Sequence, residues 1–76
     1  MREEFEKLAS EGKIRSKDLD ALEQLTESGY CTHRTWGLGK ITTVDTVFSR
    51  FLIDFPDKTG HSMDLGFSAK SLTPLA

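Results

Sequence analysis

Three residues of the kinds that form a serine-hydrolase relay stand close together late in the chain: His61, Ser62 and Asp64. Alternating apolar and polar residues around them predict a β-strand, in which successive side chains point to opposite faces. Ser62 and Asp64 then share one face while His61 points to the other, so a relay among the three cannot form. We therefore expect no catalytic residues and no enzymatic activity.

Cysteine and histidine are few, namely Cys31, His33 and His61. No two of them have the spacing of a zinc-ligand pair, and a four-ligand set would need carboxylates from scattered positions. We expect no metal and no cofactor. His61 lies on the apolar face of its strand and is interpreted as a hydrogen-bonded core or rim histidine, and Cys31 as a small buried hydrophobic residue.

The sequence Gly-Leu-Gly-Lys at 37–40 superficially matches a phosphate-binding loop. It lacks the spacing of such a loop and precedes a strand, where a helix N-terminus would be needed. The two glycines after Trp36 instead predict a sharp reversal of the backbone, because glycine adopts positive φ at no steric cost. We expect a small, strongly bent β-barrel that serves recognition.

Length and composition indicate one small domain with an appendage. Chains of about this size, here 76 residues, bury only about 60% of their unfolded surface. The single cysteine excludes an intrachain disulfide and favours a reducing compartment. No apolar run approaches the roughly 20 residues of a membrane span, and the charged start Met1–Glu4 is not a signal peptide. We expect a cytoplasmic monomer that does not contact membranes.

Charge divides the chain near Ser28 and Gly29. Residues 1–28 carry five Lys or Arg against eight Asp or Glu, a net charge of −3, whereas residues 29–76 carry five against four, a net charge of +1. A binder driven by nucleic-acid phosphates needs a basic surplus. Either the partner is a protein, or any contact with DNA or RNA is local and weak.

Residues 1–28 predict an acidic helical hairpin. Apolar residues recur at helical spacing in two segments, first at Phe5, Leu8 and Ala9 and then at Leu19, Leu22 and Leu25. Gly12 between them is a helix stop, and Ser16 is the predicted N-cap of the second helix.

Residues 29–76 predict five short strands, and thus a mainly β fold with a helical lead-in: a small SH3-like (Tudor-type) barrel. Pro56–Gly60 is a five-residue turn candidate, and closing a hairpin there pairs Phe55 with His61, Ile53 with Met63 and Phe51 with Leu65. Between Ile41 and Val44 strict alternation breaks, which predicts a bulge or bend. The remaining elements are two strands with their connection, a helical turn and an edge strand: Tyr30–His33, Lys40–Asp45, Trp36–Gly39, Phe67–Ser71 and Leu72–Pro74.

Four segments carry a resemblance to a known family: Arg34–Ile41, Leu52–Phe55, Gly60–Leu65 and Ala69–Leu75. Over residues 29–75 they resemble the amino-terminal region of long Gre-type transcription elongation factors from bacteria of the Chlamydiae–Verrucomicrobia group. More distantly, residues 33–41 look like the H-x-x-(W/F)-G-x-G-x-(I/V) pattern of Tudor-like modules in CarD-type regulators, transcription-repair coupling factors and UvrD-type helicases. Several of those modules dock on RNA polymerase.

The resemblance implies an accessory domain that tethers a transcription factor to RNA polymerase or to its nucleic acid. It also implies that the chain is a fragment whose Gre portion lies beyond Ala76. Transcript cleavage by Gre factors depends on the acidic tip of a coiled coil. The helical periodicity of residues 1–28 breaks at Gly12, so no cleavage function is carried over to this chain.

Five residues are the candidates for binding the partner: Arg34, Trp36, Lys40, Phe48 and Lys70. Tryptophan is enriched among binding hot spots, although Trp36 would alternatively fold over the end of the barrel and seal the core. Arg34 and Lys40 flank it and would meet an acidic surface or phosphates. Phe48, in a turn, is either a lid on the barrel or part of an exposed patch with Trp36.

The sequence thus predicts a non-enzymatic binding module, and the resemblance implies that it docks on RNA polymerase; two alternatives remain. The first is direct binding of DNA or RNA, in which the same cations meet phosphates and Trp36 or Phe48 stacks on bases. The second is a structural spacer that packs on the rest of its own chain. A cage for methylated cations is a further, minor option, with the candidates Tyr30, Trp36, Phe48 and Phe67.

Overall fold

The chain folds into a five-stranded antiparallel sheet with two helices before it and one between its last two strands. The computed structural model describes residues 1–76. The helices are α1 (Arg2–Ser10), α2 (Leu19–Ser28) and α3 (Leu65–Ser71), and the strands are β1 (Tyr30–His33), β2 (Gly37–Asp45), β3 (Arg50–Phe55), β4 (Lys58–Asp64) and β5 (Leu72–Pro74).

The strand order is β4-β3-β2-β1-β5, so β4 and β5 are the edges and the sheet is open. Strands β1, β2, β3 and β4 are neighbours in the same order in which they follow along the chain. β5 then pairs with the other side of β1, where Cys31 lies opposite Pro74. The prediction of five strands after a helical lead-in is confirmed, and so is the edge position of Leu72–Pro74.

The two helices predicted in residues 1–28 are confirmed, but the start of the second is wrong. Gly12, at φ +77°, follows α1 as the expected stop. Ser16 is not an N-cap: it opens a short 3-10 turn, Ser16–Asp18, and α2 begins after it without a side-chain cap. That turn buries Asp18, whose Oδ2 lies 3.6 Å from Arg15 Nε.

The core lies between the helices and one face of the sheet. Alternate residues of β3 are buried there, as the period of two predicts. The helices contribute the residues at helical spacing to the same cluster. Its twelve members are Phe5, Leu8, Ile14, Leu22, Leu25, Cys31, Phe51, Ile53, Phe55, Met63, Leu65 and Leu72.

The register of the β3–β4 hairpin differs from the prediction by two residues. The turn is Pro56–Asp57 rather than five residues, so that Ile53 lies opposite His61 and Phe51 opposite Met63. A shift of two keeps every side chain on its predicted face, and the same residues stay buried. An irregularity at β4 absorbs the extra residue: Gly60 has φ +63°, and its N–H donates to Asp54 Oδ1 at 2.7 Å.

Other details of the sheet follow the prediction more closely. The register of β2 against β3 shifts between Ile41 and Thr43, which confirms the predicted bulge. The predicted helical turn at Phe67–Ser71 is α3, which begins earlier, at Leu65. Asp64 caps it, because its Oδ2 accepts the Phe67 N–H at 3.1 Å.

None of the helices has the length and apolar composition needed to cross a membrane.

Candidate functional site

Trp36 lies in a cluster of four rings, with His33, Phe55 and His61, at one end of the sheet. His33 stacks on the indole with ring centroids 4.2 Å apart and an interplanar angle of 14°. His61 meets the indole edge-on at 4.6 Å, and Phe55 does so at 5.5 Å. Trp36 is half-buried and packs against the core, as expected for a side chain that closes the end of the fold.

The turn that carries Trp36 is tied to its own strand by His33. His33 Nδ1 accepts hydrogen bonds from the backbone N–H of Thr35 at 3.0 Å and of Trp36 at 3.3 Å. A ring nitrogen that accepts hydrogen bonds carries no hydrogen, so the imidazole is neutral with its hydrogen on Nε2. The turn spans Arg34–Trp36, and β2 begins at Gly37, three residues earlier than predicted.

The two glycines after Trp36 have different physical roles. Gly37 has φ +78°, the left-handed conformation predicted for the turn. Gly39 is instead required by packing, since a Cβ there would lie 2.6 Å from Phe55 Cε1 and 2.8 Å from Ile53 Cγ2. β2 therefore lies close against β3 beside the ring cluster, and Gly39 is buried.

Most cations of residues 29–76 lack carboxylate partners. Lys58 Nζ lies 4.9 Å from the centroid of the Trp36 ring. Arg50 alone among the basic residues of 29–76 forms an ion pair. Three of the four aspartates in that range accept backbone N–H groups: Asp45, Asp54 and Asp64. The cations without an ion-pair partner there are Arg34, Lys40, Lys58 and Lys70.

Phe48 lies on a different surface, the tip of the β2–β3 hairpin. Val47 and Phe48 are 75% and 73% exposed. Asp45 Oδ1 accepts the N–H groups of both residues at 3.0 Å, and its Oδ2 accepts from Arg50 Nε at 2.9 Å. The Arg50 guanidinium lies 5.5 Å from the centroid of the Phe48 ring. We call these two exposed residues the Val47–Phe48 tip.

The electrostatics of the tip centre on Asp45. The hydrogen bond from the Phe48 N–H lowers the pKa of the Asp45 carboxyl below its ordinary value, and the Arg50 guanidinium lowers it further. Both contacts favour the ionised carboxylate. The tip is therefore a constrained turn, although it contributes almost nothing to the core.

A groove of about 380 Å³ separates the tip from α1. Leu8 and Val47 supply its apolar lining, and its polar lining has both signs of charge, with Glu4 and Lys7 among the contributors. The tip thus borders a surface of mixed polarity.

The structure distributes the five predicted binding residues over separate regions. Trp36 and Phe48 lie at opposite ends of β2, with about 26 Å of strand between them. Arg34 is exposed in the Trp36 turn, and Lys40 is exposed on β2 opposite Tyr30 and Asp54. Lys70 is exposed on α3.

Both predictions for Phe48 are therefore wrong. An exposed ring at a hairpin tip is not a lid on the core, and its distance from Trp36 excludes a shared patch. The possible cage for methylated cations is also not formed, since the close ring pairs of the chain involve only the Trp36 cluster.

Sequence reasoning missed two contributors, Lys58 and Asp45. No local sequence signal indicates the contact between Lys58 and Trp36, because that contact depends on the register of the β3–β4 hairpin. Asp45 carried a usable signal, since an aspartate that starts a turn commonly accepts the N–H groups two and three residues later.

The residues with catalytic side chains do not act together. Ser62 Oγ accepts a hydrogen bond from Arg50 Nη1 at 3.4 Å, Asp64 caps α3, and His61 packs on Trp36. Cys31 is buried, as predicted, and its Sγ lies 3.7 Å from the Gly39 carbonyl oxygen. Burial raises the pKa of its thiol, which disfavours the nucleophilic thiolate.

Comparison with known proteins does not identify the chain. It matches no protein-family model, and it shows no significant similarity to a curated protein or to a solved structure.

Proposed function

We propose that the chain is a non-enzymatic docking module of a bacterial transcription elongation factor and that RNA polymerase is its partner. The Val47–Phe48 tip carries the protein-binding part of this proposal. Two neighbouring apolar side chains that stabilise no core are held outside the fold by Asp45 and Arg50. Large apolar side chains held in a fixed position are typical anchors of protein interfaces.

The choice of RNA polymerase rests on the resemblance of residues 29–75 to Gre-type factors. We infer that the strands, whose sheet is not closed, curve into a partly open SH3-like (Tudor-type) barrel. Three features support this inference. Strands β1 to β4 pair with one another in chain order, β5 pairs with β1, and a helix precedes β5. So do the irregularities in β2 and β4, which bend strands as a small barrel requires.

A protein partner fits the tip better than a nucleic acid does. Phosphate binding needs concentrated positive charge, whereas the groove beside the tip has both signs and the chain has a net charge of −2. Apolar anchors surrounded by mixed polar groups are the usual composition of a protein interface.

Direct nucleic-acid binding is the second candidate. Its support is the set of cations without ion-pair partners, of which Arg34 and Lys58 lie near Trp36. Base stacking on Trp36 is opposed by the His33 ring on one face of the indole and by Lys58 near the ring.

An NMR titration of the labelled chain tests the proposal. One arm adds RNA polymerase, and the other adds single- and double-stranded oligonucleotides at two salt concentrations. We expect the signals of Val47 and Phe48 to change with polymerase alone. Changes around Arg34 and Lys58 with oligonucleotide, lost at high salt, would replace this proposal with nucleic-acid binding.

A further inference from the structure

His33 makes the turn before β2 dependent on an unprotonated nitrogen. Its Nδ1 accepts the Thr35 and Trp36 N–H groups, and few other bonds hold this three-residue turn. The same imidazole stacks on the indole. The His33 ring therefore holds the backbone of the turn and also covers one face of the Trp36 indole.

Protonation of this ring is incompatible with both hydrogen bonds. An imidazolium carries hydrogen on Nδ1 as well as on Nε2 and has no acceptor left. Rotating the ring by half a turn does not restore one, since it only places a carbon where Nδ1 was. Stacking on the indole tolerates the positive charge, but the two backbone donors lose their partner in every case.

The surroundings offer no ion-pair partner for a proton on His33. No carboxylate forms an ion pair with His33, so none offsets a proton there. Asp54 is engaged with the Gly60 N–H. The titratable and charged groups on the neighbouring turns, β2, β3, β4 and α3 are Arg34, Lys40, Asp45, Arg50, Asp54, Asp57, Lys58, His61, Asp64 and Lys70.

We propose that His33 is a proton-sensitive latch on the Trp36 turn. Unprotonated, it holds Arg34–Trp36 closed and keeps the indole stacked. Protonated, it releases both N–H groups, and the turn with Trp36 becomes free to leave the end of the sheet. The latch belongs to the chain alone and does not depend on the proposed partner.

The chain contains a single tryptophan, so its fluorescence reports this turn directly. We expect the emission maximum to move to longer wavelength between pH 8 and pH 5, as the indole gains solvent. Over the same range the amide-proton NMR signals of Thr35 and Trp36 should move upfield, in step with the downfield movement of the His33 Cε1–H signal that reports protonation of the ring. Emission intensity is not used, because a protonated imidazole quenches stacked indole without any movement.

Two variants identify the responsible ring. His33→Asn keeps an acceptor, because asparagine Oδ1 accepts the same two N–H groups in an Asx turn, but it cannot be protonated. His61→Gln removes the other histidine of the cluster and leaves the latch in place. We expect His33→Asn to show no shift of the emission maximum and His61→Gln to behave as the wild type does.

Three results would overturn the latch. The first is a wild-type chain whose emission maximum and Thr35 and Trp36 amide signals are unchanged from pH 8 to pH 5. The second is amide signals that change without following protonation of the His33 ring, an observation that needs no variant. The third is a shift abolished by His61→Gln and kept in His33→Asn.

Discussion

The backbone N–H of Phe48 donates a 3.0 Å hydrogen bond to the carboxylate of Asp45, three residues earlier, while the Phe48 side chain stands in solvent. The contact joins the last residue of β2 to an apolar tip that the core does not use. The Asp45 carboxylate thus constrains the main chain of this turn without contacting the Val47 and Phe48 side chains through hydrogen bonds. Those two side chains remain available for a partner.

Acid should weaken the fold partly through Asp45. Its pKa in the folded chain is below the ordinary value, so the folded state binds the proton less readily than the unfolded state does. The resulting stabilisation is complete above the unfolded pKa of about 3.9 and is lost as pH falls through the folded pKa. We expect Asp45→Asn to lower the melting temperature at pH 7 and to reduce its dependence on pH below about 4.

Asp57→Asn is the matched control for this experiment, because Asp57 is exposed in the other hairpin turn and its carboxylate forms no ion pair. Its melting temperature should follow that of the wild type at each pH. Equal acid sensitivity in Asp45→Asn and the wild type would show that the Asp45 contacts do not stabilise the fold.

Gly39→Ala should destabilise the fold. The new methyl group would overlap Phe55 and Ile53, and overpacking of this kind costs about 1–3 kcal/mol. Chemical denaturation measures the loss. Leu38→Ala, on the adjacent residue that is 52% exposed, should change the free energy of unfolding by less than about 0.5 kcal/mol. Similar losses in both variants would mean that the close approach of β2 to β3 does not exist.

Ser68→Ala should be neutral or stabilising. Ser68 is fully buried in α3, and its Oγ has no hydrogen-bond partner. An unsatisfied buried hydroxyl is costly, and alanine is the better helix former, so we expect a gain of up to about 1 kcal/mol in denaturation experiments. Ser71→Ala, at the less buried end of the same helix, is the comparison. A clear loss of stability in Ser68→Ala alone would indicate that the hydroxyl has a partner after all.

The core was predictable because its signal is local. Phe51, Ile53 and Phe55 alternate with more polar neighbours, and burial follows that period. The hairpin register was not predictable from the same signal, since pairings that differ by two residues bury the same side chains. The choice between them lay in the chemistry of the turn, where Pro56–Asp57 and Gly60 each offered a possible reversal.

The candidate site was less predictable than the fold. Residue type alone singles out Arg34, Trp36, Lys40, Phe48 and Lys70, whereas their distances from one another depend on where each element ends. The separation of Trp36 from Phe48 follows from β2 running from Gly37 to Asp45 without interruption. The contact of Lys58 with Trp36 requires the final register, so it became visible only in three dimensions.

The affinity of the chain for purified bacterial RNA polymerase tests the central claim most directly. It is measured at one salt concentration for the wild type, Phe48→Ser and Phe67→Ser. Phe67 is the matched control, a phenylalanine 57% exposed on α3. We predict that Phe48→Ser weakens binding at least about tenfold, or ~1.4 kcal/mol, whereas Phe67→Ser changes it less than about twofold. Absence of wild-type binding, or equal affinities for the two variants, would contradict docking through the Val47–Phe48 tip.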